Sequence, residues 1–475
     1  LLLLWACRLN RAVIRIGIGR LGRRIASAAT AAAGSAIRYR GGGANRIIGK
    51  QNVHGMPSDF AVNGKSIIFL EKLHGFFGKA CVVAVDILCA EIVKLIQSLL
   101  NIFNIRPVHR VAERIADCVI NATMDQYHLQ TALPFLEQGY DMLLEKPLVN
   151  NEHDLFLLRD TARKSGSSLT VCHVLRYTTF YRRIKQMLLD GKIGEIMNIQ
   201  TSERVGAFHS SVSYLRGKWN RESECGSSLL LAKCCHDIDL LCWLNNTSVP
   251  AFVASQGGRN YFIPEKAPQG AGTRCMVDCP EAVRKGCIYD AENMYIENCL
   301  LQQYPWQCTG KNPEDVSREE RIESLKTYNP HGQCIYKAGG DLVDHQNVAI
   351  TFANGSTALH SMLLGAMHPG RSIWIQGTRG ELEGWLEAGT LTYRVYDPAT
   401  AMYQEETIHV DDESGGVGAH MGGDVGLMRD FCARMAGAAP SISTTDIADS
   451  INGHLVCYTA DRAMRENAVL PLHLG

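Results

Sequence analysis

The chain has 475 residues with 48 basic and 48 acidic side chains, and 46% of it is hydrophobic. That is ordinary globular composition with ample material for a large core, which excludes a disordered or fibrous chain. A formal net charge of zero argues against a nucleic-acid or anionic-membrane binder, which carries a basic excess.

At about 150 residues per domain the length predicts two or three domains. Residues 1–7 are an apolar run too short to span a bilayer. They have neither a basic flank before them nor a small-residue cleavage site after them, so a truncated secretion signal is a secondary reading. No other stretch approaches the length of a membrane span, and no transmembrane helix is expected. Residues 12–16 read as a β-branched strand that runs into Gly17, Gly19, Arg20, Leu21 and Gly22. This G-x-G-x-x-G spacing suits a pyrophosphate: one glycine for the turn, one for close backbone approach, one for helix–strand packing. The spacing is also met in ordinary glycine turns.

An acidic partner for the adenosine ribose is expected about 20 residues further on, at the end of a second strand. The cleanest apolar run is residues 81–85, ending at Asp86, which lies well beyond that spacing and implies an insertion near 23–80. The rival places the strand at 67–70 and the acid at Glu71. An acid at Asp86 favours NAD over NADP, and a strand-end or helix-cap aspartate is the plain alternative. Residues 116–122 read as a buried strand, followed by Thr123 and His128 and a helix through 137. A short strand at 142–144 then leads to Glu145, Lys146 and Pro147. Strand, helix and strand on a short period predict a parallel, doubly wound sheet.

The stretch GYDMLLEKPL, with IGIGRLG and ATMDQYH before it, resembles the Gfo/Idh/MocA family of NAD(P)-dependent oxidoreductases. Downstream, VCHVLRYTTFYRRIKQMLLDGKIGEIMNIQ, LLLAKCCHDIDLLCWL, VAITFANGSTALHSM, IWIQGTRGELEG and HMGGDVGLMRDFCARM extend the resemblance in the same order. It leaves out only about 23–80 and parts of 250–345, and its second half is most similar to a microbial branch with a cysteine-bearing insertion. The resemblance implies an α/β fold: an N-terminal Rossmann domain (1–148) and a C-terminal α+β domain (149–475) with a large, mainly antiparallel sheet. Residue patterns agree. Residues 348–352 alternate apolar and polar, turn at Asn354 and Gly355, and return through 357–362, a hairpin signal. Runs at 373–376, 381–386 and 391–396 continue as a meander, and 427–435 and 446–465 read as helices.

The resemblance implies that Lys146 stands beside the nicotinamide and the reacting carbon, where a lysine stabilises an alkoxide or shuttles a proton. Residues 229–244 read as an apolar helix on which Lys233, His236, Asp237 and Leu240 share one face. Burying such groups is costly unless they pair or work, and histidine is a natural general base. Many family members carry an aspartate four residues before this histidine; here Ala232 stands there. That departure leaves Lys233 or Asp237 as replacement. Arg176, flanked by Tyr177 and Tyr181, resembles a position facing cofactor and substrate, with a structural ion pair as the alternative. Thr123, His128, Glu145 and Pro147 resemble cofactor-cleft positions.

Seventeen cysteines form no CxxC pair, which reads as a reduced, cytoplasmic protein with buried thiols. Cys275, Cys279, Cys287, Cys299, Cys308 and Cys334 cluster in the irregular 250–345 segment. Cys275, Cys279, Cys287 and Cys334 could ligate a structural zinc or an iron–sulfur cluster; scattered free thiols and disulfides are the alternatives. The leading function is an NAD(H)-dependent dehydrogenase of a sugar, cyclitol or derivative. A redox-neutral glycoside-cleaving enzyme and a non-catalytic binder are the other two classes. A homo-oligomer is expected from the resemblance alone.

Overall fold

A computed structural model describes residues 67–72, 80–85, 116–299, 303–411 and 420–474. Gly17, Gly19, Arg20, Leu21, Gly22 and Asp86, with the strand expected at 12–16, lie outside the described residues. Among those described, the strands form a five-stranded and a nine-stranded sheet.

The first sheet has the order β2-β1-β3-β4-β5. Strand β1 (Ile67–Lys72) is parallel to β3 (Cys118–Ala122), with Glu71 opposite Ala122. Strands β4 (Asp141–Leu144) and β5 (Leu169–Val171) continue the parallel run. Strand β2 (Ala80–Val85) lies on the edge and is antiparallel to β1. Both rival strands of the sequence therefore form, but the 81–85 run does not join the parallel set. The connection after Lys72 is too short for a parallel crossover, which takes a dozen or more residues.

The near-continuous apolar character of β3, β4 and β5 follows from burial on both faces. Helix α1 (His128–Leu136) packs against β3 and β4. Helix α2 (Glu152–Ser165) is set by its ends: the Asn151 side chain accepts from the Asp154 amide, and Gly166 closes it at φ 74°. These are the expected N-cap and C-cap chemistries. Its Leu155, Leu158 and Ala162 face the core. This sheet continues past residue 148, to Val171.

After helix α3 (Thr179–Leu189) comes the large sheet. It contains β6 (Ile196–Gly206), β7 (Pro250–Gly258), β8 (His345–Phe352), β9 (Thr357–Ala366), β10 (Gly370–Gly377), β11 (Gly380–Trp385), β12 (Thr390–Asp397), β13 (Met402–His409) and β14 (Val469–Pro471). Its order is β13-β12-β11-β10-β6-β9-β8-β7-β14, and only β6 and β9 pair in parallel. The predicted hairpin is β8–β9, with Val348 opposite His360 and Gly355 at φ 86°, a backbone region that favours glycine. The meander is β10 to β13.

Alternation divides this sheet into two faces. Val253, Val348, Ile350, Ala358, Met362, Ile373 and Ile375 are buried, while Phe252, Leu359 and Leu363 are exposed. Helices α4 (Cys235–Leu244) and α6 (Ile447–Glu466) pack on each other beside it, and α5 (Gly423–Met435) lies against the segment after β5. The backbones of α4 and α6 approach closely at Gly453, where a Cβ would stand 3.1 Å from Cα of Asp239. Strands β7 and β8 are neighbours joined by a long irregular excursion. None of the helices among the described residues is long and apolar enough to cross a membrane.

Candidate active site

Three parallel strands end together, and each delivers a polar residue at its carboxyl end. Strand β3 leads to Thr123, β4 to Glu145 and Lys146, and β5 to His173. In open α/β sheets this edge is where ligands bind. The Lys146–Pro147 bond is cis. The turn is braced by His128, whose ring nitrogens lie 2.6 Å from the Pro147 carbonyl oxygen and 2.9 Å from that of Thr123. Thr123 donates its hydroxyl to Asn121 (2.9 Å). The Glu145 carboxylate accepts from the Lys146 amide (3.3 Å). These three residues shape the turn from which Lys146 extends.

Lys146 is half-buried, and its Nζ donates to the carbonyl of Ala232 at 2.7 Å. The residue at the position of the missing aspartate thus holds the lysine through its backbone. Residues Leu230–Cys234 form a π-helical turn before α4, so the expected 229–244 helix is not one continuous α-helix. The extra residue per turn changes the phase of the side chains. His236 packs against His173 and His420, ring centroids 5.8 Å away in each case. Lys233 instead pairs with Glu203 (3.3 Å), and Asp237 with Arg371 (2.8 Å). Arg371 also reaches Glu203 at 2.8 Å. The expected single face therefore splits into a histidine wall and a buried chain of alternating charges, Lys233–Glu203–Arg371–Asp237.

The electrostatics follow from this division. Burial, then the positive charge of Lys146 and the neighbouring His173, His420 and Arg371, hold the His236 imidazole well below its usual range. Burial, then Arg176 and Lys146, do the same to His173. Both are neutral at pH 7 and competent to accept a proton. Nδ1 of His236 and both ring nitrogens of His173 are buried without a hydrogen-bond partner. Burial disfavours the Asp237 anion, yet Arg371, His360 and Lys233 keep its carboxyl below the normal value. Cys234, Asp237 and His360 bring ligand atoms within 4.8 Å of one another, but the cation there is already supplied by Arg371.

Arg176 is fully buried and grips Asp239 with two nitrogens (2.7 and 2.6 Å), while its third pairs with Asp449. It ties the segment after β5 to α4 and α6. Tyr177 donates to Asp430 (3.0 Å), and Tyr181 is buried, with burial and Asp237 pushing its phenol well up. The arginine and Tyr177 are thus committed to protein partners.

The residues that sequence reasoning did not single out are His173, His420 and Asp424. Nδ1 of His420 lies 3.1 Å from both carboxylate oxygens of Asp424, a pair with i, i+4 spacing that periodicity could have found. His173 carried the signal of a polar residue just past a buried strand.

Residues 181–266 match the model of the GFO/IDH/MocA C-terminal domain. That stretch of the chain is similar to the C-terminal domain of the GFO/IDH/MocA family. A protein of Bacillus subtilis named as an oxidoreductase, YteT, is 27% identical over 325 residues, covering 66% of this chain and 72% of its own. An NAD-binding oxidoreductase from Klebsiella pneumoniae superposes with a TM-score of 0.53 at 14% identity, covering 76% of this chain and 81% of its own. Levoglucosan dehydrogenase, solved in complex with NADH, gives 0.52 at 16% identity, covering 75% and 80%. These two share their fold with this chain. The segment from β7 to β8 holds the cysteines and lies mostly beyond the matched 181–266 stretch.

Proposed function

We propose that the chain is an NAD(H)-dependent oxidoreductase that moves a hydride between nicotinamide and a hydroxyl or keto carbon of a sugar, cyclitol or derivative. One observation carries the reading: Lys146 and the neutral imidazoles of His173 and His236 meet at the carboxyl edge of the parallel strands. The buried, unpartnered nitrogens of His173 and His236 fit a site completed by a polar ligand. Gly17, Gly19, Arg20, Leu21 and Gly22 would hold the pyrophosphate and Asp86 the ribose, with Thr123 and Glu145 lining the nicotinamide end. When bound, NAD(H) supplies the hydride chemistry. The protein's part is acid–base. His236 takes the substrate hydroxyl proton, and the Lys146 ammonium, fixed by the Ala232 carbonyl, stabilises the alkoxide that develops. His420 with Asp424 stands beside His236 and provides an exit for that proton.

Formation of NADH, followed at 340 nm with NAD and a panel of sugars and cyclitols, tests the reading. Turnover that Lys146→Ala abolishes is the expected result. Absence of any thermal shift or fluorescence change with NAD(H) would sink it. A second reading, redox-neutral cleavage of a glycoside, is favoured by Ala232 in place of the aspartate; glycoside cleavage without net NADH would select it.

A further inference from the structure

The excursion between β7 and β8 has little regular structure, and a stretch of that kind needs something to fix it. Cys275, Cys279, Cys287 and Cys334 all line one small cavity of about 20 Å³, closed on another side by Arg216. All four are free cysteines. Cys308 is exposed and does not line it.

The local chain explains why they converge. The Cys275 amide donates to the Gly332 carbonyl (2.9 Å) and the Cys334 amide to that of Thr273 (2.8 Å), so two strands distant in sequence are bridged beside both cysteines. The Asp278 carboxylate accepts from the amides of Thr273 (2.8 Å) and Arg274 (2.7 Å), and this turn carries Cys275 and Cys279 together. The short helix Glu281–Arg284 then returns the chain to Cys287, whose amide donates to the Arg284 carbonyl (2.9 Å). Backbone amides of Ala291 and Tyr289 point at the sulfurs of Cys275 and Cys287, as amides do around thiolates.

The second observation is electrostatic. Arg216 is 1% exposed, and its contacts are the Ser211 hydroxyl, the Tyr295 hydroxyl, the Tyr289 carbonyl (2.8 Å) and Sγ of Cys275 (3.7 Å). Its Nε has no partner. Arg216 makes no ion pair with a carboxylate among the described residues, whereas Arg284 at the same cavity is paired with Asp290 (2.7 Å). A buried guanidinium without a counter-ion is costly.

We propose that Cys275, Cys279, Cys287 and Cys334 bind a single tetrahedral metal ion of the zinc class, which fixes the excursion to the body of the protein. The cavity has room for about one water-sized occupant, which fits one ion and not a four-iron cluster. On binding, four S–H protons leave to solvent and four thiolates hold the dication. The product carries two net negative charges, and Arg216 is the adjacent positive one. No three of the four sulfurs lie within 4.8 Å of one another, so bonds of about 2.3 Å draw them inward and tighten the segment. The role is structural: four protein ligands leave no open position for substrate.

Elemental analysis of the full chain, purified from zinc-supplemented medium under reducing conditions, is the test. One zinc per chain is expected, released in step with modification of four thiols by an organomercurial. Cobalt(II) added in place of zinc should give the intense visible bands of a tetrathiolate site. Cys279→Ser and Cys287→Ser, each at the less buried side of the cavity, should weaken retention against a chelator by at least about tenfold. Cys308→Ser should leave metal content unchanged. No stoichiometric metal with four reactive thiols would overturn the proposal. So would broad iron–sulfur absorption, or zinc retained undiminished in both Cys279→Ser and Cys287→Ser. Because the readout is metal content and cobalt spectrum, it is independent of whether the chain turns over NAD(H).

Discussion

Lys146 is held at its tip by the carbonyl of Ala232, and no carboxylate among the described residues pairs with it, so its charge faces the histidine wall. Lys146→Ala is expected to lower kcat/KM for carbinol oxidation by about 10²–10⁴ while NADH binding, followed by fluorescence, persists. Lys146→Arg should not restore the rate, because a planar fork cannot replace a compact ammonium. The pH profile gives a second check. A base must be unprotonated to act, and His236 is held well below its usual value by burial and then by Lys146. Activity should therefore persist below pH 6.5, the unperturbed histidine value. Lys146→Met removes the charge that lowers His236 most after burial, so the acidic limb of the residual kcat/KM profile should move to higher pH; an unmoved limb would show that His236 is not the base. His420→Asn should lower kcat less than His236→Asn, since His420 stands behind it.

At the scale of elements, Arg176 joins three of them. Its guanidinium bonds Asp239 of α4 and Asp449 of α6 from the segment that follows β5. Breaking a buried pair by removing one partner leaves an uncompensated charge, so Arg176→Met should destabilise the fold by about 3–5 kcal/mol, measured by urea denaturation. A loss under about 1 kcal/mol, the range of surface pairs, would contradict the clamp. Several elements were legible from local chemistry. Asn354 and Gly355 turn β8 into β9, and the helices read at 427–435 and 446–465 are α5 and α6. The direction of β2 was not legible from its composition, since a strand's apolar run is the same read parallel or antiparallel. The π turn at Leu230–Cys234 was hidden for a related reason. Lys233 is its one polar residue, and a single polar residue does not mark a change of phase, so the partners of Lys233 and Asp237 came out differently from those of His236.

For the whole molecule, buried histidines set the acid limit. Burial first, with nearby charges, lowers His331 to about 4 and His454 to about 3, and His173 and His236 fall well below normal. In each case the folded pKa lies under the unfolded value of about 6.5. Below that pH the unfolded chain binds more protons, and stability falls as pH falls. The melting temperature should drop steadily from pH 7 to pH 5. Asp461 acts in the opposite sense: burial raises it to about 6, so its contribution is present at low pH and lost as pH rises toward 6. The four histidines outnumber it, and a melting temperature flat from pH 7 to 5 would refute the balance. The outer face of the large sheet exposes Phe252, Leu359 and Leu363 at 50%, 44% and 48%. We propose that a second copy of the chain covers it, a state that light scattering would detect and that Leu359→Lys with Leu363→Lys should disrupt.

The sequence by itself determined the alternation of apolar strands and helices, the Glu145-Lys146-Pro147 turn and the gathering of cysteines in one segment. These are local properties, written in periodicity, turn residues and spacing. Only the tertiary structure decided that His173, His236 and His420 form one wall while Arg176 is spent on Asp239 and Asp449. Only it decided that four of the clustered cysteines, and not Cys308, surround one cavity beside an arginine that has no carboxylate partner among the described residues. Partnership between residues far apart in the chain depends on how elements cross, and no local pattern encodes that.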